Sequence, residues 1–521
     1  MAALLATTLV GSTVARADTT EDLLEQLKAK GILTKGEYTK LKDRHAREKA
    51  AAKSTAVATA PSGGNGRYVT AIDKGIGIRI PGQQIVTKDN GVVSVGDVDI
   101  KISGNLIFFG VEQFKTSLAG TANDVGGIAG GFASAGSTMN NANAIRSGLL
   151  PSAFVVSLAT NQMGYDLGFT LGVYTGGNNV NVGAFNANNA GYATALGTPG
   201  IDLRQIFGTI GTPEWGTFKI GRDLGVFAGD AILNDFTLLG VGTPAGTAQP
   251  GNTTLGRIGV GYVYADWIPQ VSYTTPDWNG FTATLAMMTP YNAINSTGTG
   301  GVLNGVDLGA GVISAGNFAG GVAGVVSSGT MTAHDQPQFQ GRIKYVGKFA
   351  PDIKLTAWTS GVTQQQRVEY GDLINATPGT RVRSSAFDGG ARLDWGPVSV
   401  MGYGYWGSGL GTTALFWSGI APDGSTRTSY GWFAQAQYTF FDRLSVGGSY
   451  GASILNANGF DYTQPYATYM LRSNQSAVGF VRYKLTDWVA FQGEFINTLS
   501  TNQSGGRARS NAVVGGTTFF F

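Results

Sequence analysis

The sequence predicts an all-β transmembrane barrel of sixteen antiparallel strands, and three observations predict it. Charged residues make up only 13% of the chain, about half the roughly 25% of an average soluble protein, while glycine reaches 80 residues. Segments of about ten residues alternate apolar and polar side chains, as barrel strands do. The final strand ends on Phe521, an aromatic residue suited to an interface girdle. No apolar run reaches the roughly 20 residues of a transmembrane helix, so a helical membrane protein is excluded.

Ahead of the barrel, the pattern changes three times. Residues 1–17 form a short apolar run with a small-x-small ending, and we expect a signal-peptide remnant that lacks the usual positive start. Residues 18–53 are charged and helical in pattern, with a capping box at Thr34 and Glu37, and predict a periplasmic helical or coiled-coil segment. A solvated periplasmic spacer is the alternative. Residues 54–96 read as a linker and pre-barrel segment, and residues 97–521 as the barrel.

The barrel strands follow from the two-residue alternation and from the lengths of the connections. Eight long loops alternate with seven short turns, which places both termini on the periplasmic side, because short turns face the periplasm in such barrels. The helical segment would lie there too. The predicted strands are residues 98–112, 151–161, 164–175, 200–211, 215–222, 267–275, 279–289, 337–347, 352–363, 383–395, 397–407, 428–440, 443–453, 475–486, 488–499 and 507–521.

The two-residue alternation of apolar and polar side chains also predicts which side chains face the lumen. Ile100 and Ile102 share one parity and would face lipid, so Lys101 would face inward, and the same argument holds on the other strands. A cation on the lipid face near the midplane costs about 2–4 kcal/mol, which enforces this choice. Sixteen strands are too many for side chains to fill the interior, so a water-filled channel is expected. The predicted pore-wall cations are Lys101, Lys219, Arg342, Lys344, Lys354, Arg392, Arg482 and Lys484.

Several function classes lack the residues they need. Cysteine is absent and the only histidines are His45 and His334, which excludes disulfides and zinc sites of the His/Cys type. Neither histidine falls on a predicted strand, so a catalytic triad in the barrel wall has no base, and we expect no enzyme, cofactor or metal. The net charge of +3 has no basic block, so nucleic acid is not an expected partner.

Two segments and the last residue resemble the Gram-negative trimeric porins. Residues 215–222 are similar to the strand of that family that precedes its third long loop. Residues 271–281 are similar to its Tyr-x-Ser-Pro hairpin, although Thr275 stands in place of the serine. The helical N-terminus and residues 78–82 look like the dicarboxylate-type (Dca-like) porins. The resemblance covers the chain from about residue 98 to its end.

The resemblance implies a constriction. In porins of this kind the third long loop folds into the barrel, and here that loop is residues 223–265. It implies that Asp223, Asp230 and Asp235 oppose the wall cations across a narrow passage, where a transverse field selects solutes. The alternative is that these carboxylates cap the loop or stabilise it as acceptors.

The predicted function is an outer-membrane porin of a Gram-negative bacterium. It would pass small hydrophilic solutes by diffusion, as a homotrimer among outer-membrane lipid and lipopolysaccharide, with mild anion preference. The alternatives are a channel that prefers small carboxylate anions and, more remotely, a structural envelope anchor or an outer-membrane enzyme.

Overall fold

The computed structural model describes most of the barrel and little before it. It describes residues 85–88, 92–119, 142–175, 201–244, 253–291, 302–303, 306–307, 334–367, 379–421, 423–463, 467 and 470–521. The signal remnant predicted at 1–17, the helical segment at 18–53 and the linker up to residue 84 lie outside the described residues. Among the residues covered, no helix has both the length and the apolar character needed to cross a membrane.

Sixteen antiparallel strands form the wall of a closed barrel. Each strand pairs with the next along the chain, and the last pairs with the first, with Gly515 opposite Gly110. The strands are β1 (Val98–Ala119), β2 (Ser152–Gln162), β3 (Tyr165–Thr175), β4 (Ile201–Thr212), β5 (Gly216–Leu224), β6 (Trp267–Thr274), β7 (Phe281–Met288), β8 (Gln338–Ala350), β9 (Ile353–Arg367), β10 (Arg381–Trp395), β11 (Val398–Ser408), β12 (Thr428–Phe440), β13 (Leu444–Leu455), β14 (Leu471–Lys484), β15 (Val489–Asn502) and β16 (Arg507–Phe520).

Closure continues to the last residue of the chain. The Phe521 amide donates to the Gly104 carbonyl at 3.1 Å, and the Gly104 amide donates back to the Phe521 carbonyl at 2.9 Å. This exchange satisfies the edge groups that a barrel in hydrocarbon must not leave unpaired. The predicted fold class is confirmed, and every predicted strand matches an observed one, most of them within a few residues at each end.

The seven predicted short turns all lie at one end of the barrel, together with Val98 and Phe520. One of the shortest is Met163-Gly164, in which both residues have positive φ, 54° and 87°, as a two-residue hairpin turn of type I′ requires. At the other end of the barrel, the prediction of eight long loops is wrong for the connection from β15 to β16. Only residues 503–506 join β15 to β16, because the Asn502 side chain accepts the Gly506 amide at 2.6 Å and closes a tight turn.

Strand β1 is the longest in the wall, at 22 residues, and shares each edge between two partners. On one edge the short strand Val92–Val95 pairs with its first residues, and β16 pairs from Asn105 onward. On the other edge β2 pairs with the first half, and the short strand Ala142–Arg146 pairs above it. A further short strand, Ile85–Lys88, pairs with Val92–Val95, so the pre-barrel segment ends in a hairpin.

The alternation of faces is seen in exposure. On β8, Phe339 and Ile343 are 44% and 56% exposed on the outer face, while Arg342 and Lys344 point inward and are about three-quarters buried. The expectation that charged residues line the lumen describes only part of the inner wall. The inner wall also carries buried apolar residues, because loops fold inside and pack on them; examples are Ile107, Phe109, Met401, Tyr403 and Phe433.

Candidate functional site

The connection from β5 to β6, residues 225–266, is the third long loop along the chain and is here called the third loop. Its two ends are tied together, since the Gly225 amide donates to the Asp266 carbonyl at 2.7 Å. Much of its apolar content is buried, including Phe227, Val260 and Tyr262, each at 0% exposure. This burial explains why apolar residues occur in a loop: they pack against the inner face of the barrel.

The third loop is held by side chains of distant strands. Its backbone amides donate to acceptors on the inner faces of β8, β10, β12 and β15, at sequence separations of 113 to 253 residues. Each backbone N–H that donates in this way is not left as an unsatisfied buried donor. These bonds are Phe227 N to Gln340 Oε1 (2.7 Å), Ala228 N to Asp388 Oδ2 (3.0 Å), Phe236 N to Gln435 Oε1 (3.0 Å) and Val241 N to Glu494 Oε2 (3.0 Å).

Asp230 lies in a one-turn helix of the third loop, Gly229–Leu233, and contacts two predicted wall cations directly. Arg342 Nη1 donates to it at 2.8 Å and Lys344 Nζ at 2.5 Å. The Asp230 side chain is only 1% exposed. Burial alone would raise the pKa of Asp230, but Arg342 and Lys344 outweigh it and hold that pKa below the ordinary value. The structure therefore brings these three predicted residues into direct contact, with the Asp230 carboxylate between the two cations.

The other two predicted loop acids have different surroundings. Asp223 is at the end of β5 and pairs with Lys219 of the same strand at 2.5 Å, while Gln205 donates to its second oxygen at 3.0 Å. Asp235 accepts the amide and hydroxyl of Thr237, both at 2.8 Å, and the Tyr262 hydroxyl at 3.1 Å. Burial raises the pKa of Asp235. Asp235 is thus placed as an acceptor within the third loop, the alternative weighed from the sequence.

Arg392 and Arg482 touch the third loop at one residue, Phe236. Arg392 lies over the Phe236 ring at 5.1 Å and pairs with Asp394 at 2.8 Å. Arg482 donates to the Phe236 carbonyl at 3.1 Å. Both guanidinium groups therefore brace the loop as well as facing the lumen.

The remaining predicted cations stand apart from the loop. Lys484 pairs with Asp487 of the following turn at 2.6 Å and is half exposed, so it lies at the mouth of the barrel. Lys101 and Lys354 are half-buried on the inner wall, and within the described part of the chain neither has a carboxylate at ion-pair distance. Neither ammonium group is therefore held in an ion pair by the described residues.

The sequence did not identify which groups would hold the third loop. Asp388 accepts the Ala228 amide of the loop, and Glu494 accepts the amides of both Val241 and Gly242. Arg257 of the loop was missed altogether. It is fully buried and donates to the Ser476 carbonyl of β14 at 2.7 Å, and burial lowers its pKa to about 10 despite nearby Asp235. Only a three-dimensional contact reveals these roles, because each joins residues far apart in the chain.

A metal-binding cluster is not assembled in the described ranges. Those ranges contain no cluster of three or more His, Asp or Glu side chains able to hold a metal ion. His334 lies ahead of β8 in the β7–β8 connection, where its ring approaches the Gln365 carbonyl at 3.4 Å. The arrangement is that of a braced interior loop within an open-ended barrel.

A family profile and solved structures resemble this chain. A profile described as Gram-negative porin matches residues 157–494, well over half of the chain. The outer-membrane channel DcaP of Acinetobacter baumannii is similar in fold, with a TM-score of 0.55 at 12% identity over 81% of this chain and 97% of that one. An anion-selective porin from Comamonas acidovorans matches with a TM-score of 0.47 at 12% identity, over 81% of this chain and 100% of that one. No curated protein sequence gives a significant match.

Proposed function

Because the chain belongs to the family of Gram-negative porins, an outer-membrane channel family, we propose that it passes small hydrophilic solutes by diffusion, with the third loop as its constriction. The observation that carries this proposal is the bracing of the third loop. Glutamine, aspartate or glutamate side chains of four inner-wall strands accept its amides, and Asp230 pairs with Arg342 and Lys344. A loop fixed in the lumen narrows the passage without blocking the barrel, whose sixteen strands leave room for water.

We infer a mild preference for anions. Asp223 and Asp230 are each already in contact with cations, so their charges are largely cancelled at short range. Lys101 and Lys354 have no such partner among the described residues, and they face the same lumen. Uncompensated cations in a narrow passage raise the local concentration of anions.

A channel for small carboxylate anions is the second candidate. The same two lysines favour it, since ammonium groups donate to carboxylate oxygens. Such a channel would show saturable block by its solute, which a general diffusion pore would not. A homotrimer and periplasmic termini complete the proposal. The start of β1 and the end of β16 lie at the short-turn end of the barrel, which faces the periplasm in barrels of this kind.

Planar-bilayer recording tests the proposal. We expect conductance in steps of three from purified protein, and under a KCl gradient a reversal potential displaced toward the chloride Nernst value. The double variant Lys101→Gln with Lys354→Gln should move the reversal potential toward zero. Lys484→Gln, at the barrel mouth, is the matched control and should change it little because the Lys484 ammonium already pairs with Asp487.

The outcomes separate the candidates. Concentration-dependent block by succinate, lost in the double lysine variant, would favour the carboxylate channel over the general pore. Absence of any conductance from correctly folded, heat-modifiable protein would overturn both.

A further inference from the structure

Between the third loop and the wall strands β1 to β6 lies a cavity of about 100 Å³ that is partly open to solvent. On the loop side it is lined by Ile232, Leu233, Leu238 and Ile258, with Leu224 at the loop's start. The loop's hydrogen bonds to β8, β10 and β12 hold its first part against the other side of the wall. The cavity is therefore the space that the bracing of the loop leaves on this side of the lumen.

The wall side of the cavity is apolar too and carries an aromatic pair. Tyr174 and Trp267 lie with ring centroids 5.5 Å apart and planes tilted by 44°. Val155 and Ala153 of β2 complete the surface. A mostly apolar concave site with a few polar groups is the usual form of a small-molecule site, and aromatic walls favour flat rings. Inorganic ions gain little from such a lining.

Arg204 is the charged residue in the described lining of this cavity, and it has a partner. Arg204 pairs with Asp202 at 2.9 Å, and both side chains are buried. Tyr174 donates to the Gln205 amide oxygen at 2.8 Å, and Gln205 in turn donates to Asp223 at 3.0 Å. The cavity thus offers no net charge, so it does not select for anions.

Among the described residues, one polar group in the cavity wall has no hydrogen-bond partner. Asn105 of β1 is 5% exposed, and its Oδ1 is buried without a hydrogen-bond donor in the part of the chain that the structure describes. A buried amide oxygen in that state is costly, and a donor on a ligand would satisfy it. Because Asn105 lines the cavity, that donor would come from within it.

We propose that this cavity binds a small neutral aromatic solute bearing one hydroxyl group, with the ring against Tyr174, Trp267 and Leu233 and the hydroxyl donating to Asn105. The proposal rests on the proposed channel function, since it names a class of solute that the channel holds on its way through the lumen. It adds a mostly apolar site to a pore whose predicted wall cations do not line that site.

Calorimetric titration of the full-length protein with phenol and with toluene tests the proposal. We expect saturable binding of both, with phenol the tighter ligand. Asn105→Leu should weaken phenol binding at least tenfold and leave toluene binding unchanged, because toluene makes no hydrogen bond. Leu233→Asn should weaken both at least tenfold. Leu471→Asn, the same substitution at the end of β14 and outside the cavity, is the matched control and should bind both ligands as the parent does.

Equal phenol affinity in the parent, Asn105→Leu and Leu233→Asn would overturn the proposal, as would binding that never saturates. Bilayer conductance of the same preparations keeps the two hypotheses distinct. Conducting protein without a phenol site leaves the channel and removes the cavity proposal. A phenol site in protein that does not conduct removes the channel instead.

Discussion

Asp230 holds two cations of the inner wall at once, and its protonation state sets the strength of that contact. Its side chain is 1% exposed, against 21% for Arg342 and 24% for Lys344. Since its pKa is lower in the folded protein, its contribution to stability is complete above the ordinary value of 3.8. That contribution is lost as the pH falls below 3.8 through the lowered folded value. Acid therefore loosens this contact.

Asp230→Asn should lower the free energy of unfolding by about 2 kcal/mol at pH 7, because two charge-assisted hydrogen bonds lose their charge. The difference between variant and parent should shrink below pH 3.8, where the parent also loses the charge. Denaturant unfolding followed by tryptophan fluorescence at several pH values measures this. Asp277→Asn, in an exposed turn, is the control and should have a smaller effect. A difference independent of pH would contradict the assignment of the effect to the ion pair.

The third loop packs so closely against the barrel wall that it leaves no room for a methyl group at Gly240. A Cβ at Gly240 would meet the Glu494 carboxylate and the Gln492 amide. Glu494 is the acceptor for Val241 and Gly242, so displacing it removes two further bonds. The loop segment around Gly240 therefore depends on the absence of a side chain.

Gly240→Ala should release this part of the third loop and increase fluctuations of the open-channel current several-fold, because the loop would move within the passage. Gly459→Ala is the matched control, since a Cβ there meets nothing within 4 Å. Single-channel noise in a planar bilayer compares the two. Quiet channels from Gly240→Ala would show that the loop is held without the Glu494 contact.

The elements themselves could be predicted from the sequence, whereas the position of the third loop could not. Alternation of period two is local, so it predicted β12 at residues 428–440, as observed. The loop's contacts join residues such as Val241 and Glu494, 253 positions apart, and no local pattern encodes them. The same limit applies to the aromatic residues Tyr403 and Phe433, which lie on the inner face of the barrel. Parity alone assigns apolar residues to lipid, and only the packed loops account for apolar residues on the inner face.

For the molecule as a whole, closure depends on the approach of Phe521 to Gly104. A Cβ at Gly104 would meet the Phe521 ring and the Ala153 carbonyl. Gly104→Val should therefore prevent proper closure and reduce the yield of folded, heat-modifiable barrel several-fold. Gly402→Val, where a Cβ meets nothing within 4 Å, should fold like the parent. The mobility shift between heated and unheated samples on gels reports the folded fraction. Equal yields would show that the seam tolerates a side chain at residue 104.

The shared edge of β1 also bears on how the barrel is assembled. Val92–Val95 folds back on Val98–Lys101 through a turn at residues 96–97, so this pairing is local and needs no other strand. β16 occupies the same edge only from Asn105 onward. If β16 shifted along β1 toward the short-turn end, it would reach the part of the β1 edge that Val92–Val95 already occupies. A shift by a single residue would place every side chain of β16 on the wrong face of the barrel. The hairpin thus acts as a physical stop that biases the last step of assembly toward one register.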